Sequence, residues 1–167
     1  MSRAGAVFGS TLFFIIAPFT LAGLIPLWIT GWHLHSPFFG LSFIRTVGAV
    51  LMLLGLVSLI ESFGRFALEG LGTPAPIAPT KHLIVTGLYR YVRNPMYVGV
   101  VTIILGQALI LAAVSLLYYA AIVWLGFHLF VLGYEEPTLR RSYGAEYDTF
   151  RANVRRWIPR ITPWMAS

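Results

Sequence analysis

The chain has 167 residues, of which 57% are hydrophobic and 11% charged, with a net charge of +6 and no cysteine. Soluble domains carry about 25% charged residues, so this composition excludes an ordinary water-soluble domain and indicates a polytopic membrane protein of one domain, residues 1–167. The missing cysteines exclude disulfides, thiolate metal sites and cysteine nucleophiles; the basic excess lies beside apolar segments, where it suits anionic lipid headgroups rather than nucleic acid.

Taken in order, the first apolar run, Ala6 to Ile29, is long enough to span a bilayer. Its start resembles a signal peptide, but the run continues without a small-residue cleavage site and reads as a retained helix. Pro18 and Pro26 predict kinks in it. Gly5 and Gly9 form a GxxxG pair, read as close packing within the bundle or as the face of a homodimer. The Thr30–Ser42 loop holds no Lys or Arg, and its His33 and His35 read as solvated. A second span is expected over Thr46–Phe66, with Glu61 and Arg65 paired at i,i+4.

Residues 67–95 form a long polar loop. Pro74, Pro76 and Pro79 exclude a continuous helix and favour an extended path. Gly70, Gly72 and Ala75 loosely match a dinucleotide-binding fingerprint, but no strand precedes them and no helix follows. The segment reads as a loop crossing the entrance of a site. Pro95 then suits the first turn of a third span, with Asn94 as N-cap. Capping leaves the close grouping of Gly87, Tyr89, Arg93, Tyr97 and Gly99 without an explanation.

The block from Met96 to Tyr134 is 39 residues. As one helix it would be about 58 Å long at 1.5 Å per residue, against about 30 Å of hydrocarbon. It therefore predicts a hairpin of two spans, 96–113 and 115–134, turning near Ala112–Ser115. His128, midway along the fourth span near Trp124, reads as a neutral imidazole bonded to a neighbouring helix or as a functional ionisable group. Glu135 and Glu136 follow at a helix C-terminus, where their charge opposes the helix dipole. They are functional candidates, with an Arg140 pairing to Glu136 as the structural alternative, and Pro137 predicts a break in the helix. From Tyr143 to Trp157, apolar residues at 3–4 spacing alternate with basic ones. That pattern predicts an amphipathic helix on the membrane, serving as an anchor or as a lid. With four spans, eleven of the twelve Lys and Arg residues fall on one side, Arg45 being the exception. The positive-inside rule then makes both termini, the 67–95 loop and the 135–167 tail cytoplasmic. A fifth membrane element from the first segment stays open.

Thr86-Gly-Leu-Tyr89, Arg93-Asn-Pro-Met-Tyr-Val-Gly99, Glu135-Glu136 and Tyr143-Gly-Ala-Glu-Tyr147 followed by Ile158-Pro159 resemble the isoprenylcysteine carboxyl methyltransferase and phospholipid methyltransferase superfamily. The resemblance spans roughly residues 70–160. The Asn-Pro-Met-Tyr form is closer to the phospholipid N-methyltransferases, since prenylcysteine enzymes usually carry His where Asn94 stands, whereas the tail is closer to the prenylcysteine branch. The resemblance implies an all-α membrane protein of about four spans, its last two a helical hairpin. It implies a cytoplasmic-face site for S-adenosylmethionine formed by His82, Leu83, Val85, Gly87, Tyr89, Asn94, Pro95, Tyr97, Glu135 and Glu136. Methyl transfer to a lipophilic, membrane-resident acceptor would rest on Arg93, Tyr97 and Glu136, with Arg93 orienting a carboxylate or headgroup phosphate and Glu136 acting as base toward an amine; no metal is implied. An NADPH-dependent membrane sterol or enone reductase and a non-catalytic membrane assembly protein remain as alternatives.

Overall fold

The computed structural model describes residues 16–68, with side chains to 65, and residues 83–165. The Gly5–Gly9 pair, the proline-rich stretch and His82 lie outside the described residues. Within them the chain is helical, without strands. The helices are α1 (Ile16–Thr30), α2 (Phe43–Leu68), α3 (Pro95–Leu111), α4 (Val114–Tyr143) and α5 (Ala145–Asn153). By length and composition α2, over Phe43–Arg65, and α4 can cross a bilayer; α1 and α3 are shorter apolar helices. Val50, Leu53, Leu54, Val57 and Ile60 of α2, and Ile122, Leu125 and Leu129 of α4, are exposed. Contiguous apolar faces of this kind suit lipid rather than water.

Pro26 has no N–H, so the carbonyl of Ala22 loses its helical donor. The chain adapts by a π turn at Thr20–Leu24, in which Ile25 N–H reaches Thr20 O. That turn also frees the carbonyl of Leu21. Both carbonyls are taken up by other helices: Gln107 Nε2 of α3 donates to Ala22 O at 2.6 Å, and the Tyr119 hydroxyl of α4 to Leu21 O at 2.9 Å. Irregular backbone in an apolar setting is tolerated when side chains satisfy it in this way. The two bonds fasten α1 to the α3–α4 hairpin.

Helices α2 and α3 run antiparallel along a glycine seam. A Cβ on Gly48 would stand 2.7 Å from Gly106 O, and one on Gly55 would stand 2.7 Å from Gly99 O. Both pairs are seven residues apart on each helix, which keeps them on one face. Bare backbones can therefore touch where side chains would hold them apart. Leu59, Val100, Ile103 and Ile104 fill the buried core beside the seam, with Leu116 and Ala120 from α4.

The α3–α4 turn falls at Ala112–Ala113, as the hairpin requires. Ala112 adopts the left-handed conformation, φ 53°, and Ala113 N–H closes the turn onto Ala108 O at 3.0 Å. Helix α4 does not stop at Pro137. It runs to Tyr143 through a π turn at Val131–Glu135, where Glu136 N–H bonds Val131 O. The wide turn absorbs Pro137 as the earlier one absorbs Pro26.

After Gly144 the short α5 packs Tyr147 and Phe150, with Val154 beyond its end, against Leu83, Val85 and Leu139. The apolar stripe of the tail is thus spent on the chain itself. The helix ends at Asn153, short of Trp157. Residues 154–165 then run back over the entry to α3. Arg93 N–H donates to Arg155 O, Arg160 N–H to Tyr91 O and Trp164 N–H to Arg90 O, each at 2.9 Å.

Candidate active site

The start of α3, the π turn of α4 and the returning tail meet at one place. Ser58 Oγ of α2 donates to Pro95 O at 2.8 Å and fixes the first turn of α3. Asn94 precedes that turn but does not cap it with its side chain; Asn94 Nδ2 donates instead to Arg156 O at 3.2 Å. The expected cap is therefore a tie between α3 and the tail.

Upstream, Gly87 opens a 3-10 turn, Gly87–Arg90, with φ +53°, and a Cβ there would lie 1.8 Å from Glu61 Oε1. Only glycine fits. Glu61 pairs with Arg65 at 2.9 Å, as the spacing predicts, and also accepts Leu88 N–H at 3.3 Å. The Glu61–Arg65 pair thus carries the Gly87–Arg90 turn. That turn buries Tyr89 beside Ser62; burial first, then the Glu135 charge, raises its phenol well above the usual range.

The two glutamates have different partners. Glu136 Oε1 accepts from Arg93 Nη1 at 2.9 Å and from Arg156 Nε at 2.7 Å, while its Oε2 accepts from Arg156 Nη2 at 3.0 Å. The alternative pairing with Arg140 does not form; Arg140 meets Asp148 at 3.2 Å. Glu136 is 8% exposed, and two guanidiniums balance its buried charge, as such a charge requires. Its hydrogen bond is also the main reason that the Arg156 guanidinium is held above its usual range. Glu135 has a phenol: Tyr97 Oη donates to Oε2 at 3.0 Å.

Arg93 also donates to the Tyr147 hydroxyl at 3.2 Å. Burial first, and then the Glu136 charge, pushes that phenol above its usual range. The Nε of Arg93 is buried without a partner among the described residues. Arg93, Asn94, Glu135 and Glu136 line one small cleft with Tyr147 and Phe150. Tyr97 reaches it through Glu135, while Pro95 sets the helix start that carries both Asn94 and Tyr97. Leu83 and Val85 pack on the tail beside Tyr147, and Gly87 supports the turn below.

An aromatic wall adjoins the carboxylates. Tyr97 stacks on Phe127 with ring centroids 4.5 Å apart, and Trp124 stacks on His128 at 5.1 Å. Trp157 of the tail donates its indole N–H to His128 Nδ1 at 3.1 Å. The partner of His128 is therefore the tail, not a neighbouring membrane helix. His33 and His35 are exposed in the 31–42 loop, and no metal-ligating cluster occurs among the described residues. Arg156 and Trp157 were the unforeseen members of the site. Both stand far from their partners in sequence, where no local spacing exposes a pairing.

A sequence model of the phospholipid methyltransferase family matches residues 43–146, more than half of the chain. The stretch begins with α2 and ends just inside α5. The protein-S-isoprenylcysteine O-methyltransferase of Schizosaccharomyces pombe is 38% identical over 82 residues. That alignment covers 48% of this chain and 34% of the yeast protein, so the chain spans about a third of that relative's length.

Proposed function

The chain belongs to the phospholipid methyltransferase family, and from that premise we propose that it transfers a methyl group from S-adenosylmethionine to a lipophilic acceptor resident in the membrane. Four membrane passages formed by α1 to α4, with both termini and the cleft on the cytoplasmic side, are part of this reading. The charge distribution supports that orientation.

The observation that carries the proposal is the division of labour between adjacent carboxylates. Glu136 is saturated by Arg93 and Arg156. Glu135, joined to Tyr97, keeps acceptor capacity for an ammonium or for ribose hydroxyls. The buried, unpartnered Nε of Arg93 offers a donor to an amino-acid carboxylate in the same cleft. The residues present thus fit both charged ends of the amino-acid portion of S-adenosylmethionine. When bound, that molecule supplies an electrophilic methyl group on a sulfonium. The chain itself positions and excludes water. Tyr97 and Phe127 form an apolar, electron-rich wall beside Glu135, suited to a cationic centre. The tail closes the cytoplasmic side through Trp157 and Arg156. Orientation and exclusion of water are what such a transfer asks of a protein. Because Glu136 is held by two guanidiniums, its role in this reading is to lock Arg93 in place. An acceptor amine would have to lose its proton elsewhere.

The test is a calorimetric titration of purified protein with S-adenosylmethionine, with S-adenosylhomocysteine and with NADPH, followed by transfer of labelled methyl to lipid extracts. Binding of the first two, with label recovered in a lipid fraction, is the expected result. NADPH binding alone would support a reductase, and binding of none of the three would support a non-catalytic role; either outcome ends the proposal.

A further inference from the structure

An open groove of about 740 Å³ lies between the end of α5 and the returning tail, sharing Arg93 with the cleft. Arg93, Arg151, Arg155, Arg156 and Arg160 line it, and among the described residues no acidic side chain does. One carboxylate, Glu136, answers Arg93 and Arg156 from the cleft side. Among the described residues, the Arg160 guanidinium bonds only the carbonyls of Asn153 and Thr162, which leave its charge uncompensated. Arg151 and Arg155 are exposed. Such a concentration of guanidiniums is self-repelling, and it is relieved by an anion that several of them can share.

The rim is as telling as the floor. Ile161 lines the groove and is 100% exposed, with Ile158 at 63% and Met165 at 72% on the same segment. Large apolar side chains beside arginines are the chemistry of a membrane interface, where the charge meets a headgroup and the apolar groups enter the acyl boundary. A soluble phosphate would use the floor and leave the rim in water.

We propose that this groove binds the headgroup phosphate of an anionic phospholipid, with Ile158, Ile161 and Met165 seated in the lipid beside it. The lipid is a fixed ligand of the tail, separate from any methyl acceptor. Its consequence is positional. The segment that it pins, 154–165, delivers Arg156 to Glu136 and Trp157 to His128. The bound headgroup therefore holds the cytoplasmic strap closed over the cleft. The inference stands on the groove alone and is independent of which group the protein methylates.

The experiment is native mass spectrometry of the full chain released from detergent, after incubation with dioleoyl phosphatidylglycerol, with dioleoyl phosphatidylcholine, or with inorganic phosphate. Wild type is expected to retain phosphatidylglycerol at least tenfold better than phosphatidylcholine. Arg151→Gln with Arg155→Gln, both exposed and outside the cleft, should lower that retention about tenfold without moving the melting temperature. Ile158→Ser with Ile161→Ser should lower it too. Equal retention of the two lipids would overturn the proposal, as would an unchanged double arginine variant. Release of the lipid by equimolar inorganic phosphate, or indifference to the isoleucine changes, would mark a free-phosphate site and overturn the lipid assignment.

Discussion

Trp157 and His128 are 29 residues apart and joined by one hydrogen bond, indole N–H to Nδ1 at 3.1 Å. The bond fixes the imidazole tautomer, because Nδ1 accepts and the proton therefore sits on Nε2. It also fastens the tail to α4 at a second point, eight residues before the Arg156–Glu136 contact. Trp157→Phe keeps a ring against Trp124 and removes the donor. A net hydrogen bond contributes about 0.5–1.5 kcal/mol. Amide exchange across 154–165 should therefore speed up by roughly 2- to 12-fold, with exchange in α2 and α3 unchanged. Mass-resolved hydrogen exchange reads this directly.

The glutamates should separate by phenotype. Glu136→Gln leaves Arg93 and Arg156 without their carboxylate, and breaking a buried pair from one side costs about 3–5 kcal/mol. Partial exposure of Arg156 moves the expectation to the lower end. A clear fall in melting temperature is expected. Glu135→Gln removes a charge whose described partner is a phenol, and its melting temperature should stay within a few degrees of wild type. Its affinity for S-adenosylmethionine should fall at least tenfold. Thermal melts and calorimetry on the two variants decide between this division and a shared role.

The glycine seam predicts a contrast between two identical substitutions. Gly55→Ala places a methyl 2.7 Å from Gly99 O, so two backbones must part. Overpacking of this kind costs about 1–3 kcal/mol. Gly126→Ala, in α4, meets nothing within 4 Å, and relief of glycine's chain entropy favours it by about 0.5–1 kcal/mol. The first variant should lose stability and the second should match or exceed wild type in a denaturant series.

The Tyr147 phenol is raised above its usual range by burial first and by the Glu136 charge second. Folding therefore favours its protonated form. That stability is fully present below the unfolded phenol's pKa of about 10 and is lost as pH rises beyond it. Tyr147→Phe should show a shallower decline in melting temperature between pH 9 and 11 than wild type. Tyr89, shifted in the same direction, keeps part of the slope in either protein.

Much of the architecture was legible because length and polarity constrain it. A 39-residue apolar block forces a hairpin whatever its turn residues are, and Ala112 makes the turn without glycine or proline. The Glu61–Arg65 pair followed from helical spacing, although its hold on Leu88 did not, since it joins residues 27 positions apart. The glycine seam was hidden by its period: the eye is drawn to GxxxG, while Gly48, Gly55, Gly99 and Gly106 recur at seven. Arg93, Tyr97 and both glutamates were legible as residues that packing alone explains poorly. Their pairings were not. Arg140 stood at the right spacing for Glu136, but the rival Arg156 came from a segment whose path no local pattern reveals.

The π turn at Val131–Glu135 has a further consequence. A single helix must face lipid along most of its length and yet aim two neighbouring acids into the protein at its end. A regular α-helix advances about 100° per residue, so every position inherits its direction from those before it. The wide turn accommodates one residue beyond the α-helical count. It resets the helical phase, and the acids take their direction independently of the face that meets the bilayer. Removing Gly133 would take out the extra residue of that turn, return the strain of Pro137 to the helix and turn Glu135 and Glu136 away from Tyr97, Arg93 and Arg156.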